Sequence, residues 1–212
     1  MNKISQFTEL FKEYNEHTNL MSRNDVEKLE EKHIPDCLNI DKFFEKYAYP
    51  ENLLDIGTGG GFPSVPVALK FPEIEVYAMD SINKKINFIK DVKNKLSVEN
   101  LIPICSRIED FDKKEFFETV TTRAVASLST ILEYSVPFAK INGYIVAYKS
   151  KTAEEELEEA KNAMKILGVK YIDKIDYKIS DDYERCLLIF QKIKHTPKAY
   201  PRKNNLARKN PL

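Results

Sequence analysis

The chain has 212 residues, 42% of them hydrophobic, which supports one sizeable core and not a string of domains. Lys plus Arg and Asp plus Glu number 33 each, so the overall charge singles out neither a polyanion nor a membrane surface. No apolar run reaches about 18 residues, and the first six residues lack the apolar core of a secretory leader, so neither a span nor export is expected.

Ile4, Phe7, Leu10, Phe11 and Tyr14 recur at helical spacing and predict an amphipathic helix over 3–16. Val26, Leu29, Cys37, Leu38, Phe43, Phe44 and Tyr47 continue a helical region, which Pro35 kinks or restarts. Residues 1–50 therefore read as a helical extension. From 51 to 194, strands and helices alternate: strand 53–56, a short helix from near Pro63, strand 74–79, helix 82–96, strand 101–105, a strand from Val120 to Val125, helix 128–140 and strand 144–148. A helix follows from Thr152 to Leu167, with Thr152 as its N-cap and Gly168 as its stop. Segments 170–178 and 185–193 are joined too closely for a crossover, so they pair antiparallel. The pattern predicts an α/β, Rossmann-like fold: a mostly parallel sheet, an antiparallel final strand, helices on both faces. Residues 195–212 form a basic tail of the same single domain.

The three cysteines, Cys37, Cys105 and Cys186, match no metal-ligand spacing, and neither do His17, His33 and His195. Reduced thiols, no metal and a cytoplasmic protein are the expectation. Cys105 reads as a small buried strand residue and not as a nucleophile.

Four of the six glycines fall within Gly57–Gly61, directly after the strand at Leu53–Ile56. A strand, a glycine loop and a helix start form the arrangement that holds the polar part of a nucleotide cofactor. A P-loop requires Lys and Ser/Thr after the last glycine, but Phe62-Pro63-Ser64 follows. The dinucleotide fingerprint requires a third glycine where Phe62 stands. What remains, Asp55-x-Gly57-x-Gly59-x-Gly61, is the form used by class I S-adenosylmethionine-dependent methyltransferases. Asp80 lies 23 positions after Gly57, at the tip of the second strand, where a carboxylate accepts ribose hydroxyls.

Ligands of open α/β sheets sit beyond the carboxyl ends of the strands. The third strand supplies Ser106 to Glu109, with Ile108 placed to cover an adenine face; Glu109 also fits a solvated helix-start acid. The fourth supplies Arg123, which within a buried segment serves either the site or a structural ion pair. Residues 191–212 carry seven Lys and Arg and no Asp or Glu, leaving 26 basic against 33 acidic residues in 1–190. Charge alone leaves that tail as a polyanion contact, extended along a phosphate backbone, or as a solvated segment. On either reading its removal is expected to spare the cofactor.

Four segments and the tail together resemble one family, the bacterial small-subunit ribosomal RNA (guanine-N7) methyltransferases, also called glucose-inhibited division protein B. They are Tyr14 to Leu20 with Lys32 to Asp36, the loop Leu53 to Pro63, Asp80-Ser81 with Lys84, Lys85 and Phe88, Thr122 to Leu128, and Tyr200 to Lys203 with Pro211-Leu212. The resemblance implies S-adenosylmethionine contacts at Gly57, Phe62, Ile108, Glu109 and Arg123, with Asp80, Gly59 and Asp55 supporting them. It assigns no general acid or base; Arg123 is the positioning candidate. It implies methyl transfer to guanine N7 in 16S rRNA of the small subunit, by a monomer that binds RNA through Lys198, Arg202, Lys203, Arg208 and Lys209. Ser64, Ser150, Pro35, Asn204, Asn205 and Ala207 depart from the family's usual residues. A small-molecule methyltransferase, a nicotinamide oxidoreductase and a non-catalytic RNA-binding module are the rival readings, and Phe62 opposes the second.

Overall fold

The computed structural model describes residues 2–123, 126–150, 153–180 and 183–212. Four helices come first: α1 (Lys3–Thr18), α2 (Arg23–Glu27), α3 (Ile34–Leu38) and α4 (Asp41–Lys46), with a π-helical turn at Leu29–His33 before α3. Pro35 occupies the first turn of α3, where its missing N–H leaves no hydrogen bond unmade, so it starts a helix and does not kink one. Strands β1 (Asn52–Ile56), β2 (Glu75–Asp80), β3 (Leu101–Cys105), β4 (Phe117–Arg123) and β5 (Ala139–Lys149) then alternate with α5 (Ser64–Lys70), α6 (Asn83–Leu96) and α7 (Leu128–Ser135). Helices α8 (Ala153–Glu159) and α9 (Lys161–Leu167) precede β6 (Val169–Lys178) and β7 (Glu184–Lys192), and α10 (Leu206–Lys209) ends the chain.

The strands form one sheet in the order β3-β2-β1-β4-β5-β7-β6. Pairs β1–β2, β1–β4, β2–β3 and β4–β5 are parallel; β7 runs antiparallel to both β5 and β6. The direction of the chain of strands reverses at β1, where the order turns from β2 to β4. That is the switch point beside which doubly wound sheets bind ligands.

Alternation along the strands fills two cores. Leu53, Val76, Ala78, Val146 and Tyr148 face α1, α3, α4, α5 and α6; Leu54, Tyr77, Val120, Ile145 and Ala147 face α7, α8 and α9. The amino-terminal helices belong to the first core: Phe7 and Phe11 are fully buried against Phe62 and Phe88.

Several boundaries move. The helix expected over 128–140 ends at Ser135, because Pro137 sits in a short 3-10 turn at Val136–Phe138, and β5 begins at once at Ala139. The acidic helix divides at Ala160. Thr152 and the end of the fourth strand at Ala124 and Val125 lie outside the described residues. Gly168 does stop α9, at φ 78°. Cys105 is exposed, because β3 is the sheet's outer strand and its last residue has no neighbour beyond it. Among the described residues no helix is long and apolar enough to cross a membrane.

Candidate active site

At the carboxyl end of β1 the chain must leave the sheet at once. Gly57 does so at φ 74°, where an L side chain is strained. The N–H groups of Gly57 and Thr58 both donate to the Met79 carbonyl at 2.9 Å, tying the loop to the end of β2. Gly61 and Phe62 donate to the Thr58 carbonyl, and the Thr58 and Ser64 hydroxyls are hydrogen-bonded to each other. Each glycine has its own reason. A Cβ on Gly59, at φ +60°, would project into open space, whereas one on Gly60 would run into the ring of Phe11.

Asp55 lies behind this loop, 1% exposed, and accepts the Ser64 N–H at 3.2 Å. Burial pushes its pKa up to about 7, against the opposing pull of Thr58, Ser64 and the Arg123 charge. Asp55 therefore shapes the turn from inside and does not face the cavity. Phe62 likewise points inward: it is 4% exposed and lies 5.4 Å from Phe7 and 5.2 Å from Phe11, ring centre to ring centre.

Asp80 stands at the tip of β2. Its Oδ2 accepts the Gly59 N–H at 3.0 Å and faces Lys85 Nζ at 3.4 Å, while Oδ1 accepts the Ile82 N–H at 3.0 Å. A carboxylate offers about four acceptor positions, and with three donors already in place capacity for one further hydroxyl remains. The same side chain thus clamps the glycine loop and lines the cavity.

Arg123 ends β4 and is 14% exposed. Its Nη1 donates to Asp36 Oδ2 at 3.0 Å, and its guanidinium carbon lies 5.5 Å from the Phe62 ring centre. The other oxygen of Asp36 accepts the Tyr177 hydroxyl at 2.7 Å. Nη2 lies 3.4 Å from His33 Nδ1; burial and the Arg123 charge lower the His33 pKa, so the ring is neutral near pH 7. Arg123 is therefore held in a structural ion pair and also borders the cavity beyond the strands.

A cavity of 440 Å³ opens beyond the strands, a size typical of small-molecule sites. It brings together Gly57, Asp80, Ile108, Glu109 and Arg123, with Ile56, Met79, Lys85 and Arg107. Tyr134 of α7 and Asn205 and Arg208 of the tail complete the wall. None of these three carries a local motif; the only signal for Tyr134 is that it follows the strand bearing Arg123.

The tail is not extended. Arg202 is held by Glu133, a fully buried carboxylate, through Nε at 2.9 Å, Nη2 at 2.6 Å and its own N–H at 2.8 Å. Ala207 is buried, and its carbonyl accepts the Thr130 hydroxyl at 3.0 Å. Asn204 and Asn205 adopt φ 58° and 61°, the left-handed conformation that Asn tolerates best after Gly. Lys198, Lys203 and Lys209 stay exposed, Lys203 beside Asp110 at 3.3 Å. Of the five expected RNA cations, Arg202 is thus committed to the fold instead.

Glycines shaping a loop at the switch point, with Asp80 at the tip of β2 and Ile108 bordering one cavity beside it, place the fold among class I S-adenosylmethionine-dependent methyltransferases. A methyltransferase from Aquifex aeolicus superposes on the fold with TM-score 0.61 at 16% identity, covering 82% of this chain and all of that one. TYW2 of M. jannaschii, solved with AdoMet, gives 0.58 at 20% identity over 76% of both chains. The chain belongs to the rRNA small subunit methyltransferase G family, or GidB, whose profile matches residues 1–178. Ribosomal RNA small subunit methyltransferase G of Clostridium novyi is 38% identical over all of this chain and 88% of its own. That of Lactococcus lactis subsp. cremoris is 39% identical over 99% and 90%.

Proposed function

We infer that the protein transfers the methyl group of S-adenosylmethionine to N7 of a guanine in 16S rRNA of the small subunit, as a metal-independent cytoplasmic monomer. The observation that carries this reading is the single cavity joining Gly57, Asp80, Ile108, Glu109 and Arg123 in a chain of this family. The residues fit the cofactor: Asp80 retains acceptor capacity for a ribose hydroxyl, Ile108 offers an apolar face, and Gly59 leaves open space above the loop.

When bound, S-adenosylmethionine supplies an electrophilic methyl on a sulfonium. A neutral guanine N7 already carries the attacking lone pair, so the protein need only align the partners, and alignment is itself a large contribution to rate. Arg123, its charge balanced and its angle fixed by Asp36, positions the reactants at the cavity wall. Its fork of donors suits a carbonyl acceptor such as guanine O6. A second opening, lined by Arg107, Lys203, Asn204, Asn205 and Lys209, adjoins the first and shares Arg107, Glu109 and Asn205 with it. With Lys198, these cations form the path for the RNA backbone.

The test is transfer of label from S-adenosylmethionine to small subunits that lack the modification, followed by mapping of the methylated base. Label on one guanine N7 is expected. Transfer to no RNA substrate, with intact cofactor binding, would overturn the substrate assignment.

A further inference from the structure

We propose that the C-terminal segment is a wall of the cofactor site, with Arg208 and Asn205 as cofactor-contacting residues and Arg202 as the residue that positions them. The inference rests on the cofactor reading above and extends it to residues outside the glycine loop and strand tips.

Three observations meet. Asn205 and Arg208 border the same cavity as Ile108 and Glu109. The segment carrying them is built in, not draped: Glu133 is 0% exposed and its two oxygens are taken up by Arg202, whose Nη2 also donates to the Asn210 carbonyl at 2.9 Å. Tyr134, one residue after Glu133, reaches Asn205 Oδ1 with its hydroxyl at 3.4 Å and lines the cavity too. One turn of α7 therefore anchors the tail and orients its inner face.

The chemistry of that face suits the flat, heteroatom-edged end of the ligand. A guanidinium is planar and lies well against an aromatic base, and a side-chain amide both donates and accepts at a base edge. With the tail in place Glu133 is fully buried and takes hydrogen bonds from the Arg202 N–H, Nε and Nη2, all of which release of the segment would break. On this proposal the tail serves the cofactor as well as the RNA, and its removal costs cofactor affinity where the charge pattern alone predicts no cost.

The test is calorimetric titration of S-adenosylhomocysteine into the full chain and into Arg208→Ala, Arg202→Ala and Lys165→Ala, with the melting midpoint of each ligand-free protein measured alongside. Arg208→Ala is expected to bind at least fivefold more weakly, with a smaller midpoint shift than Arg202→Ala. Arg202→Ala is expected to bind at least tenfold more weakly, with Arg202→Lys failing to restore the bidentate contact. Lys165→Ala, an exposed charge on α9, is expected to bind as the unaltered chain does. Equal affinity of Arg208→Ala and the unaltered chain, with loss only of RNA binding, would overturn the proposal while leaving the cofactor reading intact. Failure of the unaltered chain to bind would instead sink the cofactor reading.

Discussion

Asp36 and Arg123 lie 87 positions apart and meet at 3.0 Å, one on the third helix, the other at the end of a central strand. Both side chains are largely buried, at 8% and 14% exposure. A buried pair contributes little beyond what a well-packed apolar pair would, but losing one member strands the other. Asp36→Ala is therefore expected to destabilise the fold by about 3–5 kcal/mol, and it also frees the Tyr177 hydroxyl. Denaturant unfolding checks the first effect. Asp36→Asn, which keeps an acceptor, is expected to fold but to lower kcat more than it raises KM, because Arg123 loses its fixed angle. A variant with wild-type kcat would remove Arg123 from its positioning role.

Asp55 predicts a specific dependence on pH. Its folded pKa, about 7, lies above the ordinary carboxylate value of 3.8. The folded chain therefore keeps a proton that the unfolded chain releases, and the Asp55 contribution to stability falls as pH rises from about 4 to 7, then levels off. Asp55→Asn retains an acceptor for Ser64 and removes the ionisation. The stability difference between variant and wild type should grow from pH 4 to pH 7 in the variant's favour. A difference that stays flat across this range would show Asp55 to be ionised throughout.

The glycine loop separates ligand effects from packing effects. Gly57→Glu places a charged side chain at a cavity-lining position with φ 74° and should abolish S-adenosylhomocysteine binding. Gly60→Ala instead meets Phe11, whose ring is fully buried and cannot swing away. It should cost about 1–3 kcal/mol of stability, the usual range for overpacking. Unchanged stability in Gly60→Ala would mean that α1 can retreat from the loop.

The exposed cations make a salt prediction. Lys198→Ala and Lys209→Ala should each weaken RNA binding and reduce the slope of log affinity against log salt by roughly 0.7–0.9, the value of one phosphate contact. Filter binding across a salt series reads this directly. An unaltered slope would return these lysines to ordinary solvation.

The strands and the loop were legible because their signals are local: short, mostly apolar runs for β1 and β2, clustered glycines for Gly57–Gly61, a carboxylate at the fitting distance for Asp80. Phe62 and Asp55 were placed by motif alone, and a motif says nothing of which way a side chain turns; both face inward. The partners Asp36, Tyr177 and Glu133 were silent, since each acts through a contact 69 or more residues away. The tail was misread at one residue: its charge density fits the exposed Lys198, Lys203 and Lys209, but Arg202 is drawn in by a buried carboxylate far along the chain and the segment is not extended.

Phe11 fills the space that a side chain on Gly60 would need, so the cofactor loop has the amino-terminal helix as its floor. Synthesis makes that helix first, yet its aromatic partners Phe62 and Phe88 emerge more than 50 and 75 residues later. The nascent helix must therefore wait, amphipathic and unsheltered, until β1, the loop and α6 have left the ribosome. At about 5–20 residues per second that interval is several seconds. The methyl-donor loop of this chain thus gains its floor only once the first 88 residues are out and Phe11 can close on Phe62 and Phe88.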